Sequence, residues 1–528
     1  MFYMALLRSL FSFNSPWILA VILTVISMTT TLPAGNWPAY RGNAQRTGFV
    51  PTSVSDAWVN IWTYQSVHPP RPAWAPPARR SYWQRLENIH PIIVNNSVIF
   101  ASSSDDQIRC LNAETGEQKW SFYTDGPVRY APFFSNGMLF VGSDDGFVYC
   151  INSANGHEIW RSRIGPVDRR IPGNGRIISA WPVRSGVLMA DNKVYATAGL
   201  YPGQGVYAVC LNARNGDALW ETALDYSPQG YLMHSGSKLF IPTGRSNPIA
   251  LDAENGKFLR AFGGVGGTYA LVTDNQLIAG RGNDGTFAAT NLKSNENLVR
   301  FQGDQMAVSR NRSFLLSNGN LKVIDRIKYA EAVRNITSLN QARKALQSEL
   351  KRENLRSDEM VELRRRLAET AVELARQKIE GDAAALWDQS TSDHTQLLAC
   401  ENRVFTGGQG EVTAFDAASG TQVWNTEIKG QVMSMALTEK YLIVSNDQGH
   451  FYAFGKGPNE ANRAPVAVRP NSRVPDLSPG MTLIADKVIR QTPQLKGYCV
   501  LFGADLIDLA IAISKRSEFH LLLLDESR

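Results

Sequence analysis

The stretch NAETGEQKW at residues 112–120 returns as NSANGHEIW at 152–160, NARNGDALW at 212–220, DAENGKFLR at 252–260 and DAASGTQVW at 416–424. Each copy follows a run rich in β-branched and aromatic residues, such as GMLFVGSDDGFVYCI or NRVFTGGQGEVTAF. An Asx followed by Thr/Ser/Asn-Gly is the chemistry of a tight turn between two antiparallel strands. The Asx side chain accepts from nearby backbone N–H groups, and Gly116, Gly156, Gly216, Gly256 and Gly420 supply the positive φ. Trp120, Trp160, Trp220 and Trp424 stand four residues after the glycine, where the outgoing strand begins. Because they recur with the turn rather than gathering at one place, they read as packing between neighbouring repeats and not as a ligand box.

The first copies are spaced by 40, 60 and 40 residues, which suits four-stranded propeller blades, some with long loops. Weaker copies fill the gaps near 274–291, 312–325 and 440–454. The count is eight, so the expected class is all-β: an eight-bladed β-propeller carrying an inserted α-helical hairpin and a short C-terminal α/β, Rossmann-like fragment. The last copy supplies three strands, and AWVNIWTYQ at 57–65 is expected to return as its fourth, which removes an exposed edge.

These copies share the pattern Ala-x-(Asp/Asn)-x-x-(Thr/Ser)-Gly-x-x-x-Trp, which resembles the tryptophan-docking repeat of quinoprotein-type, or PQQ-like, propellers. The resemblance spans 36 to about 456 and starts at NWPAYRGNAQRTGF, similar to the entry segment of such proteins. It implies the propeller fold. For activity it implies either a PQQ-dependent dehydrogenase or a non-catalytic scaffold, since the family holds both. The dehydrogenases carry two adjacent cysteines over the quinone; this chain has no Cys-Cys pair and no Cys-x-x-Cys-His for an attached haem. The family's Glu, Asn and Asp calcium ligands match no motif here, so no metal site is expected. The favoured reading is an exported, non-catalytic binding or scaffold propeller.

Composition agrees with a globular, exported chain. Of 528 residues, 44% are hydrophobic and 19% charged, which argues against disorder, and a net charge of +6 is too mild to imply nucleic acid binding. MFYMALLRSL, the apolar run PWILAVILTVIS and the small residue Ala34 read as a secretory signal over 1–34, cleaved or kept as a membrane anchor. Cys110, Cys150 and Cys210 occupy one position in three copies, where Ala250 and Ala414 stand in two others. They read as small buried core residues rather than disulfide partners.

Three segments fall outside the repeat. Residues 327–386 contain apolar positions Ile336, Leu339, Leu346 and Leu350, then Met360, Leu363, Leu367 and Leu374, at helical spacing, and divide the propeller into 35–326 and 387–457. They are expected to form an antiparallel, coiled-coil-like hairpin, serving as a self-packed spacer or as a docking arm for a protein partner. VDRRIPGNGRIISAWPVRSG at 167–186 gathers Arg169, Arg170, Arg176 and Arg184. With Arg129 they are expected either to line one channel mouth and attract an anionic ligand, or to stand as solvated surface charge.

A Pro-rich linker at 458–479 leads to 480–528, where a helix precedes a strand expected to be buried, a glycine turn, a helix and a second strand expected to be buried. This tail is similar to the start of class I S-adenosylmethionine-dependent methyltransferases. The resemblance implies that Gly503 lets the backbone approach the cofactor and that Asp525 or Glu526 holds the ribose hydroxyls. The further glycines of that family are missing in GADLID, and two strands with one crossover do not bury a stable core. The segment is therefore expected to be part of a propeller–methyltransferase arrangement whose remainder lies outside this chain, as in large bacterial envelope-associated proteins of that order.

Overall fold

The computed structural model describes residues 36–55, 58–73, 87–244, 246–263, 266, 269–273, 275–280, 286–352, 355–456, 466–468, 477–503 and 506–524. The expected signal segment, most of the linker, and Asp525 and Glu526 lie outside them.

Six antiparallel four-stranded sheets follow one another along the chain, at 92–123, 133–163, 188–223, 233–261, 269–302 and 305–390. In each the strands pair in sequence order, as a meander. A nine-stranded sheet completes the array because the long strand Gln422–Leu437 joins two meanders end to end. Its first part pairs with Gln409–Asp416 and its second with Tyr441–Asn446. Val59–Tyr64 then pairs antiparallel with Phe451–Gly455, so the chain closes on itself across nearly 400 residues. Val466–Val468 adds parallel to the outer side of that strand and covers its edge.

Burial shows which end of each meander lies inside. The short first strands, such as Ile92–Val94 and Gln305–Val308, are buried throughout, whereas the fourth strands, such as Glu158–Arg163, are mostly exposed. The architecture is that of a β-propeller. Meander topology puts the first-to-second and third-to-fourth strand turns on one face. The other connections lie on the opposite face.

The repeated turns hold adjacent sheets together. In the first copy Asn112 Oδ1 accepts from Glu114 N at 2.8 Å and Thr115 N at 3.3 Å, and Gly116 takes φ 74°. The indole of the preceding sheet then lies on that glycine. Trp62, Trp120, Trp160, Trp220 and Trp387 rings come within 2.5–2.7 Å of where a Cβ would stand on Gly116, Gly156, Gly216, Gly256 and Gly420. Their indole N–H groups donate to the carbonyls of Ala113, Ser153, Ala213, Ala253 and Ala417 at 2.9–3.2 Å. Trp424 instead donates to Trp58 O at 3.1 Å, because its neighbour is the returning N-terminal chain. Where the fourth copy has Arg260, the guanidinium donates to Lys293 O at 3.2 Å, one residue beyond the position of the carbonyl used in the other copies. Asn295, at φ 62°, takes the glycine's place in the turn it meets.

The sixth sheet has helices instead of its last turn. Helix α1 (Arg326–Glu349) starts at Asp325, whose carboxylate caps Ile327 N and Lys328 N, and helix α2 (Ser357–Asp382) returns to the strand Ala385–Ser390. Ala332, Leu346, Leu363 and Leu374 are buried between them, with Asn335 Nδ2 donating to Gln377 Oε1 at 3.0 Å. Ile336, Leu339, Met360 and Leu367 are half-buried.

In the tail, helices α3 (Pro479–Gln491) and α4 (Ile507–Ser514) pack through Ala485, Ala512 and Ile513. Lys496–Phe502 and Glu518–Leu524 pair in parallel around α4. The expectation that both strands are buried needs correction, since Tyr498, Val500, Phe502 and Leu523 are exposed. A two-stranded sheet with helices on one side leaves its other face bare.

A substitution pair tests the tryptophan contact. Gly137 and Gly156 share φ near 75° (78° and 75°), but a Cβ on Gly137 meets nothing within 4 Å whereas one on Gly156 strikes the Trp120 ring. Gly137→Ala is expected to cost only backbone strain, about 1 kcal/mol, and Gly156→Ala about 3 kcal/mol or more in urea unfolding, because strain and steric overlap add.

Candidate functional site

The entry segment 36–50 lies inside the ring of first strands and bonds to them in turn. Trp37 exchanges hydrogen bonds with Ile93, and Pro38 O accepts from Phe134 N. Ala44 O, Gln45 O, Thr47 O and Gly48 O accept from His234, Val272, Val308 and Ala399, each from a successive sheet. Arg41 and Arg46 adopt φ of 57° and 60°, a conformation held here by dense packing. Both are buried. The Arg41 guanidinium donates to Gln305 Oε1 at 2.8 Å and to Arg46 O at 2.9 Å, and contacts Met306 O. Arg46 donates to Leu232 O at 3.0 Å and lies over the rings of Phe133, from the second sheet, and Tyr231, just before the fourth. Tyr40 stacks on Tyr231 at 3.8 Å, with Tyr130 and His90 edge-on to the pair. Burial lowers the Arg46 pKa to about 10 and pushes the Tyr40 hydroxyl up to about 12, so neither changes charge near neutrality.

At the face opposite the repeated turns, Arg170–Gly173 and Arg176–Ser179 form a small antiparallel hairpin. The structure brings two of the five expected arginines together. Arg129 Nε donates to Asp144 Oδ2 at 2.6 Å, and Arg184 reaches both oxygens of the same carboxylate at 2.8 and 2.9 Å. Glu87 lies 3.5 Å from Arg129, and Asn174 Oδ1 accepts from Arg184 at 2.7 Å. Arg176 pairs instead with Asp106, beside the first sheet. Arg170 pairs with Asp168 at 3.3 Å, and Arg169 is exposed. The sequence reading counted the arginines but not Asp106, Asp144 and Glu87, which only the fold places beside them.

Asp144 has no exposed surface. Burial alone would push its carboxyl up, but Arg184 and Arg129 outweigh that and hold it below the ordinary range. Burial raises Asp106 to about 6 against the opposing pull of Arg176. Three buried or half-buried guanidiniums are thus matched by three acids, which makes this a braced mouth rather than a free anion cradle. Elsewhere His394 joins Thr406 Oγ1 at 2.7 Å and Glu411 Oε1 at 2.8 Å. The order resembles a hydrolytic triad, but Thr406 is wholly buried, so the chain of bonds staples a loop.

The other expected site residues are spread through the fold. The tryptophans and glycines of the repeat form the inter-sheet contacts. The reading missed Trp62 and Trp387 among them, since neither follows an Asx-Gly turn in sequence. Gly503 has φ 128°, and a Cβ there would meet Leu506 at 3.7 Å, while Asp525 lies outside the described residues.

Tyr40, Arg41, Arg46 and Tyr231 occupy the stretch of the axis that the entry segment crosses. Cys110, Cys150, Cys210 and Cys400 are buried in separate sheets and cannot form a ring together. Among the described residues, no group of three or more His, Cys, Asp or Glu side chains is placed to hold a metal ion.

The fold and its turns define a propeller of PQQ-like repeats. The family described as outer membrane protein assembly factor BamB matches residues 60–180, 169–262 and 366–460, more than half the chain, and the chain belongs to that family. No curated protein matches it. Among solved structures, quinohemoprotein alcohol dehydrogenase ADHIIG from Pseudomonas putida HK5 is 13% identical, with a TM-score of 0.52 over 86% of this chain and 85% of its own. Quinohemoprotein alcohol dehydrogenase from Comamonas testosteroni is 11% identical, with a TM-score of 0.52 over 85% and 84%. BamB from Moraxella catarrhalis, 11% identical, matches at a TM-score of 0.48 over 76% of this chain and all of its own. At these identities the likeness is one of fold.

The shared carboxylate yields a test. A folded pKa held below the ordinary 3.8 means that Asp144 contributes stability in full above that value and loses it as pH falls through the folded pKa. Asp144→Ala, which strands two buried guanidiniums, is expected to cost about 3–5 kcal/mol at neutral pH. In denaturation curves taken below about pH 4, Asp144→Asn should flatten the acid loss seen in the wild type.

Proposed function

We propose that this chain is an exported, envelope-associated propeller that binds protein and catalyses no reaction of its own. The observation that carries this is the filled axis: the entry segment bonds to six of the sheets and sets two buried arginines across the middle. What remains available is surface, namely two loop faces and a helical arm. The family's description as an assembly factor supports a protein partner, met by a propeller face or by the hairpin. Counting each half of the nine-stranded sheet as one blade makes eight blades, with the hairpin at 327–386 as an insertion between 35–326 and 387–457. The N-terminal 34 residues act as signal or anchor. Among the described residues no helix is long and apolar enough to cross a membrane.

Purified chain supplied with PQQ and calcium is expected to reduce no electron-accepting dye above background. Quinone-dependent reduction would overturn the reading. Export is checked by fusing a reporter active only outside the cytoplasm after residue 456, with activity expected and lost on removing residues 1–34.

A second reading rests on the parallel pairing of Lys496–Phe502 with Glu518–Leu524 around a helix, the topology of a nucleotide-binding half-unit. It makes the tail part of a propeller–methyltransferase arrangement using S-adenosylmethionine. With one sheet face bare and a single glycine at the turn, the chain alone is expected to bind no radiolabelled S-adenosylmethionine in equilibrium dialysis. Binding abolished by Gly503→Val would favour this second reading.

A further inference from the structure

Helix α2 carries two apolar faces, and the propeller uses only one. Leu363, Leu374 and Gln377 are buried against α1. On the opposite side, at 100° per residue, Val361, Ala368, Val372, Ala375 and Ile379 form a second stripe, and all five are exposed. Val361 is 68% exposed, Val372 72% and Ile379 68%, on a helix whose other exposed positions are mostly charged. With Arg365, the spacing is four, three, four, three, four, the alternation of a coiled-coil seam, and the stripe runs about 27 Å along the helix. Arg365 does not break it. Its guanidinium is drawn aside to Glu362 at 2.7 Å and to Glu369, so its aliphatic stem lies along the stripe.

We propose that this stripe is a self-association surface, on which α2 of a second copy lies antiparallel about a two-fold axis near residue 370. The seam is complementary to itself in that direction. Val361 meets Ile379, Val372 meets Ala368, and Arg365 meets Ala375, so a large residue faces a small one at both inner layers. One flank sets Glu362 against Arg376 of the second copy, twice, with Glu369 facing Glu369 at the axis between them. The other flank sets Arg364 near Lys378, a like-charged pair that limits the affinity and that salt would relieve. A parallel pairing is worse, since it stacks Arg365 on Arg365 inside the seam and leaves alanine opposite alanine. The position in the fold permits the contact: the hairpin replaces a third-to-fourth strand turn, so α2 projects from one face with its stripe turned away from α1. The surface is independent of any partner of the propeller faces.

Sedimentation velocity on the full chain across a dilution series to about 100 µM is expected to show monomer passing to dimer, and more so as salt is raised. Val372→Glu should leave a monomer at every concentration while keeping the circular dichroism and melting temperature of the wild type, since the site is exposed. Direction is read by cross-linking in a Cys499→Ser background: Val361→Cys and Ile379→Cys proteins, mixed and oxidised, should give the mixed disulfide. A monomer throughout, a dimer unaffected by Val372→Glu, or predominant 361–361 cross-links would each overturn the proposal.

Discussion

An indole lying on a glycine is the contact from which the rest of this structure follows. The turn needs positive φ at its fifth position, glycine satisfies it without strain, and the missing Cβ opens the space that the neighbouring tryptophan fills. The indole N–H then takes up a carbonyl that the turn itself leaves unpaired. One short motif thereby sets both the hairpin within a sheet and the distance to the next sheet. This is why a chain with little sequence likeness to solved structures still builds their fold. The same contact explains the exception at the sixth sheet. The helical hairpin removes that turn, and the sheet before it correspondingly has Val299 where a tryptophan would dock.

That dependence also determines how much could be read in advance. Repeated turns announce themselves in one dimension, so the strand order, the hairpin and the tail's βαβ unit were all legible. Trp62 and Trp387 were not, because neither stands four residues after an Asx-Gly turn: one lies on the returning N-terminal strand and the other follows the helical hairpin. The acids beside the arginine cluster were not legible either. Arg129, Arg169, Arg170, Arg176 and Arg184 are close in the chain and look like a concentration of positive charge. Their acids arrive from the first and second sheets and from Glu87, and a charge count over one loop cannot see them. Burying Asp144 with no exposed surface is tolerable only with two guanidiniums on it, so the pairing is a condition of the fold at that mouth.

The path of the entry segment was the least legible feature of all. NWPAYRGNAQRTGF marks the start of the repeat region but carries neither helix nor strand periodicity to show where it runs. Inside the propeller its polarity is what lets it run across the inner strands, since each sheet presents backbone N–H groups that need acceptors. Arg41 and Arg46 are affordable there because carbonyls, an amide oxygen and aromatic faces surround them, in place of counter-ions.

The two roles of the N-terminal segment place one constraint on the whole. Residues 36–50 line the axis, and Val59–Tyr64 form the outer strand of the last meander, so the first described residues bond to strands as late as Phe451–Gly455. Synthesis delivers the N-terminus first, but its inner partners run from Ile93 to Ala399 and its outer partner is Phe451–Gly455, so the full set exists only once nearly all the propeller has been made. Non-local pairing of this kind forms slowly and leaves strand edges exposed meanwhile. Most of the inter-sheet tryptophans relieve that wait, since Trp120, Trp160, Trp220 and Trp387 each join sheets adjacent in sequence. The array can therefore grow sheet by sheet and accept the entry segment last. Local contacts thus build the ring, and the segment made first is the one that locks it.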